Sequence, residues 1–115
     1  MSAKPTFDRD GYPTDETLAL IKHWPYQDAA GCLDYVKAAW HYPDWATHDL
    51  NAGEASVVRA EKGEKYLRLA TGGWSGNEEL VIALEDNHMM RAVTWRLDAR
   101  GGLHIYQYPN DDASR

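Results

Sequence analysis

The sequence predicts an α+β domain: two N-terminal helices, then a β-β-α-β-β order forming a four-stranded, mostly antiparallel sheet with helices on one face. Three observations predict it. Apolar residues recur at spacings of three and four over the first 40 residues, they alternate after residue 65, and Gly-containing turns separate the alternating runs. At 115 residues the chain has the size of one domain and can bury a core without disulfides or metals.

Residues 1–13 carry Pro5, Gly11 and Pro13 without periodicity and read as a flexible arm; 14–108 form the domain, and 109–115 a loose tail. Thr14 is placed to cap a first helix that carries Asp15 and Glu16 in its opening turn, buries Leu18 and Ile21, and stops at Pro25. A second helix starts near Asp28, with Ala29, Cys32, Leu33, Val36 and Trp40 on one stripe and Pro43 beyond its end. Ala55–Glu61 reads as a short strand, and Lys65–Ala70 as another with Leu67 and Leu69 inward. Ser75 and Glu78 fit a capping box opening a third helix through Leu80, Ala83 and Leu84 to about Asn87. Arg91–Leu97 then alternates, with Val93, Trp95 and Leu97 expected on the core side. After the Arg100-Gly101-Gly102 turn, Leu103–Tyr108 returns with Leu103 and Ile105 inward.

Composition narrows the function classes. Net charge is −6, with eleven acids against six bases in residues 1–64, which disfavours binding to a phosphate backbone. Five Trp and seven Tyr against one Phe favour residues with an apolar body and a polar tip, suited to core plugs and to binding rims alike. Cys32 is alone, so an intramolecular disulfide and a four-cysteine zinc site are excluded, and its apolar neighbours suggest a small buried side chain. No membrane-length apolar run and no secretory signal occur, so a cytoplasmic protein is expected, with no membrane partner.

The densest functional signal is Thr71-Gly72-Gly73-Trp74-Ser75-Gly76-Asn77-Glu78-Glu79, which joins a strand to a helix. Glycines there allow close approach to backbone, and a helix N-terminus offers free amides. Thr71, Gly72, Gly73, Trp74, Ser75, Asn77 and Glu78, with Arg100 near by, are the expected ligand-binding residues; a tight, well-capped turn around a packed Trp is the competing reading. The loop lacks the Lys of a P-loop, and Asn77 stands where a nucleophile elbow needs Gly. A second surface, Tyr66, Arg68, Thr94, Arg96, His104 and Tyr106, is expected on the sheet face away from the core. His41, Asp44, His48 and Asp49 cluster in sequence but match no metal-binding spacing, and neither metal nor cofactor is expected.

The run from Leu67 through Thr71-Gly72-Gly73-Trp74-Ser75-Gly76-Asn77-Glu78, then Trp95, then Arg100-Gly101-Gly102-Leu103-His104-Ile105-Tyr106, resembles small uncharacterised proteins of phages, prophages and bacterial genomes. The resemblance covers about forty of the 115 residues. It implies no activity, only that loop, helix and second hairpin form one unit of mobile-element origin. Related chains carry His after R-G-G where this one has Leu103, which speaks against a histidine catalyst at that position. The expected function is a non-catalytic binding protein holding an unknown small ligand or protein partner. An acidic inhibitor that presents Asp28, Asp34, Asp44, Asp49 and Glu54 as phosphate mimics, and a small hydrolase or transferase using Ser75 or His104, are the alternatives.

Overall fold

The computed structural model describes residues 4–109. Thr14 caps helix α1 (Asp15–Lys22), its hydroxyl accepting from the Thr17 amide. Residues 4–13 turn back on that helix. Asp8 accepts the amides of Asp10 and Tyr12, Phe7 bridges to Pro13, and Thr6 donates its amide to the buried Thr17 hydroxyl. Pro25 and a 3-10 turn over Tyr26–Asp28 lead into α2 (Ala29–Ala39), which buries the stripe Ala29, Cys32, Leu33 and Val36. The remaining elements are β1 (Ala46–Thr47), α3 (Ala52–Val57), β2 (Tyr66–Ala70), α4 (Ser75–Asp86), α5 (His88–Thr94), β3 (Trp95–Ala99) and β4 (Leu103–Gln107). The molecule is therefore α+β with a four-stranded antiparallel sheet in the order β1-β2-β4-β3. Among the described residues no helix is long and apolar enough to cross a membrane.

Two expected strands begin as helix. Ala55–Glu61 was expected to be extended, yet Asn51 and Glu54 form a reciprocal capping box that starts α3, and the fourth strand is Ala46–Thr47 instead. Arg91–Leu97 was expected to be a strand from its start, but α5 runs to Thr94 and β3 begins at Trp95. Asn87 makes this possible. Its Oδ1 accepts the Met90 amide, while its Nδ2 donates to the carbonyls of Ile21 and Trp24, 2.9 Å from each. Val93 and Trp95, expected inward, are exposed as a result. The Ser75 capping box does not form either. Helix α4 starts one residue earlier than that box requires, so the Trp74 carbonyl accepts the Glu78 amide and Trp74 is the cap residue.

Register decides what each sheet face holds. Leu67 pairs with Tyr106 and Leu69 with His104, so these four share the face covered by α1, α2, α4 and α5. Arg68 pairs with Ile105, so Ile105 lies on the opposite face, where Val58, Tyr66, Leu50 and Leu97 pack around it. The expected inward Ile105 and outward His104 and Tyr106 are thus exchanged: a one-residue phase shift moves every side chain of a strand to the other face. Thr94, also expected outward, is buried and donates to the Met90 carbonyl. The back face is closed by the α3 segment rather than left to solvent. Glu54 accepts from Arg68 Nε at 2.9 Å, and the Arg96 guanidinium reaches the Val58 carbonyl and Gln107.

Candidate functional site

The β2–α4 loop turns at Thr71-Gly72-Gly73-Trp74, with the Trp74 amide donating to the Thr71 carbonyl. Gly72 has φ +64°, and a Cβ there would come within 1.7 Å of the Trp45 ring, so Trp45 lies directly on its backbone. At Gly76 a Cβ would meet the Trp74 ring at 2.1 Å. Both glycines are the floor on which an indole rests.

Those indoles belong to a continuous row of rings drawn from three chain segments. Tyr12 and Trp74 have centroids 4.8 Å apart, Trp74 stacks on His41 at 4.3 Å, His41 meets Tyr42 at 4.2 Å, and Tyr42 meets Trp45 at 4.7 Å. Tyr42 is 46% and Trp45 40% exposed, so the row ends in rings open to solvent. Beside the row lies a hollow of about 520 Å³ lined by Phe7, Gly11, Trp40, His41, Tyr42 and Pro43. Tyr42 adopts φ +64° and ψ +78°, a left-handed conformation that costs a bulky residue about 1–3 kcal/mol and is held by its surroundings.

Each expected site residue has a definite place. Asn77 is fully buried: its Oδ1 accepts the His41 amide at 2.9 Å and its Nδ2 donates to the His41 carbonyl at 3.0 Å and to the Thr71 carbonyl at 3.4 Å. It therefore positions the ring row and has no group left for a ligand. Ser75 Oγ is paired with the Tyr12 hydroxyl at 2.9 Å. Thr71 is buried, its Oγ1 accepting the Gly73 amide, and its own amide donates to the Gly102 carbonyl. Gly73 is open, Trp74 half-buried and Glu78 exposed. Arg100 is exposed in the β3–β4 turn, and among the described residues no hydrogen bond or ion pair ties it to the loop. The sequence reading missed Tyr12, Tyr42 and Trp45 as neighbours of this loop, although the run Trp40-His41-Tyr42-Pro43-Asp44-Trp45 is dense enough in rings to have marked them.

No hydrogen bond joins Ser75 to a histidine among the described residues, and the Cys32 thiol is pushed up to about 12 by burial, then by the Asp28 charge, which keeps it protonated. Three of the five carboxylates of the acidic surface are engaged within the molecule: Asp28 with the Trp24 indole N–H, Asp34 with the Tyr108 hydroxyl and Glu54 with Arg68. His41 is in the ring row and His48 Nδ1 lies 2.9 Å from the Tyr66 carbonyl oxygen.

The far side of the same loop is different. Thr71, Glu78, Val81, Glu85, Gly102 and His104 line an open cleft of about 210 Å³. His104 Nδ1 is 2.8 Å from Asp98 Oδ1, and Arg91 approaches the other Asp98 oxygen at 3.5 Å. Partial burial works to raise Asp98, but hydrogen bonding from His104 and Trp95 and the charges of His104 and Arg91 outweigh it, and the net shift is downward. The Tyr106 hydroxyl is buried and has no hydrogen-bond partner among the described residues. Burial, then the charges of Asp98 and Glu85, push that phenol well above its ordinary value.

No family model matches the chain, and neither does any curated protein or solved structure.

Proposed function

We propose that this is a non-catalytic binding protein that takes a small ligand or a partner segment on the ring row running from Tyr12 through Trp74 and His41 to Tyr42 and Trp45. The observation that carries this is the exposure of Tyr42 and Trp45 next to a hollow, on backbone that glycine and a left-handed Tyr42 bring into line. Exposed, pre-ordered aromatic rings give large contact area at small entropic cost. In this reading Trp74 is a recognition residue, Thr71, Gly72, Gly73 and Asn77 hold the surface in shape, and Ser75 fixes Tyr12. A cytoplasmic setting and a mobile-element origin belong to the same proposal; the origin is supported by the T-G-G-W-S-G-N-E and R-G-G resemblance.

A fragment and peptide screen read on the five Trp indole N–H resonances tests it. Hits should move the Trp45 and Trp74 signals together, leave Trp24 in place, and be lost in Tyr42→Ala. Hits that move only Trp24 or Trp95, or that survive Tyr42→Ala, would remove the ring row from consideration.

A further inference from the structure

The cleft on the other side of the loop gathers a donor set that the ring row does not use. Glu85 from α4, Asp98 from β3 and His104 from β4 each bring one ligand atom to within 4.8 Å of the others. Three separate elements supply them. The register Asp98↔His104 puts two directly opposite each other, and the crossing of α4 over the sheet brings the third. We propose that Glu85, Asp98 and His104 bind a first-row divalent transition-metal ion at the edge of this cleft.

Several features point to a cation rather than to a simple ion pair. A lone carboxylate–imidazole pair would be complete with Asp98 and His104, yet Glu85 adds a second carboxylate to the same spot, and Glu78 lines the cleft as a third. Arg91 is paired with Asp98, and among the described residues no Lys or Arg forms an ion pair with Glu78 or Glu85. The fully buried Tyr106 hydroxyl is the independent mark. It stands two residues from His104 on the same sheet face and has no hydrogen-bond partner among the described residues. A buried hydroxyl left without a partner is costly, and a water on a bound ion would donate a hydrogen bond to its oxygen.

The donors define the class of ion. One imidazole and two carboxylates suit Mn²⁺, Fe²⁺, Co²⁺ or Zn²⁺, whereas Ca²⁺ and Mg²⁺ prefer oxygen alone. Bonds of about 2.0–2.1 Å to two atoms 2.8 Å apart subtend roughly a right angle, the spacing of adjacent positions around a six-coordinate ion. Glu85 must close in on the pair, which a side chain at a cleft wall can do. Three protein ligands leave coordination positions facing the opening, as in sites where an ion takes exogenous ligands. The sequence hides this set because 85, 98 and 104 follow no short motif.

The test uses the full 115-residue chain freed of metal by chelator. Mn²⁺ and Zn²⁺ are titrated by calorimetry, with the histidine ring resonances followed by NMR. One equivalent should bind with a dissociation constant below roughly 100 μM, moving the His104 ring while His41 and His48 stay in place. Glu85→Gln and His104→Ala should each weaken binding at least about ten-fold. Asp98→Asn, isosteric, does the same and guards against a variant that fails to fold, with circular dichroism as the control. Absence of saturable binding, or binding that survives His104→Ala and Asp98→Asn in folded protein, overturns the proposal and leaves His104–Asp98 as an ion pair only.

Discussion

The sheet is covered on both faces, but by opposite chemistries. Its front carries Leu67, Leu69 and Tyr106 against four helices and a continuous apolar core. Its back carries only Val58, Tyr66 and Ile105 as a small buried cluster, and the rest is closed by Arg68 on Glu54 and by Arg96 on a carbonyl and an amide. The front draws its stability from removing apolar area from water, which is insensitive to pH. The back depends on a charge pair whose worth depends on protonation. One face sets how much the fold can lose, the other sets the conditions under which it loses it.

Three substitutions sharpen that contrast. Leu67→Ala, at a position with no solvent exposure, should cost about 2–5 kcal/mol in urea denaturation, equally at neutral and acid pH. A loss below about 1 kcal/mol would mean that the front is not the main core. Arg68→Met leaves the Glu54 carboxylate, whose side chain is 10% exposed, without its partner and should cost about 1–3 kcal/mol at pH 7. The Arg68 hydrogen bond holds Glu54 below its ordinary 4.5. Because the folded value is depressed, the pair's contribution is complete above the unfolded pKa and fades as pH falls through the folded one. Wild type and Arg68→Met should therefore converge in stability as pH falls through the folded value; a difference that persists once Glu54 is protonated would show that packing of the Arg stem, not charge, is what the back face loses. Trp45→Ala, outside both buried clusters but seated on Gly72, should cost only about 1 kcal/mol despite removing the largest side chain of the three.

How much of this could be read from residues alone follows from how each pattern arises. The first two helices were legible because each has one wet and one dry face, and because Thr14, Pro25 and Pro43 punctuate them. The last strand was legible as a strand but not in its facing, because His104-Ile105-Tyr106-Gln107 is covered on both sides and so lacks the polar alternation that tells inside from outside. Helix α3 had a signal, Asn51 three residues before Glu54, but Val57-Val58 outweighed it in a reading by strand propensity. The Thr71–Glu79 loop stood out through its glycines and Trp74. Its companions Tyr12, His41, Tyr42 and Trp45 come from 30 to 60 residues away, and only the folded chain brings them alongside. Asn77 was expected to face a ligand and instead secures the backbone of His41, a role that needs a distant partner to be visible.

One amide group ties distant parts of the chain into a common fate. Asn87 closes α4 and opens α5, and it also anchors the carbonyls at the end of α1 and just beyond it. The N-terminal third cannot peel away without also loosening the junction of the two C-terminal helices. A chain this short thereby gains the all-or-none behaviour that its modest core would not guarantee, and partly opened forms that expose the sheet edge to neighbouring molecules become rarer.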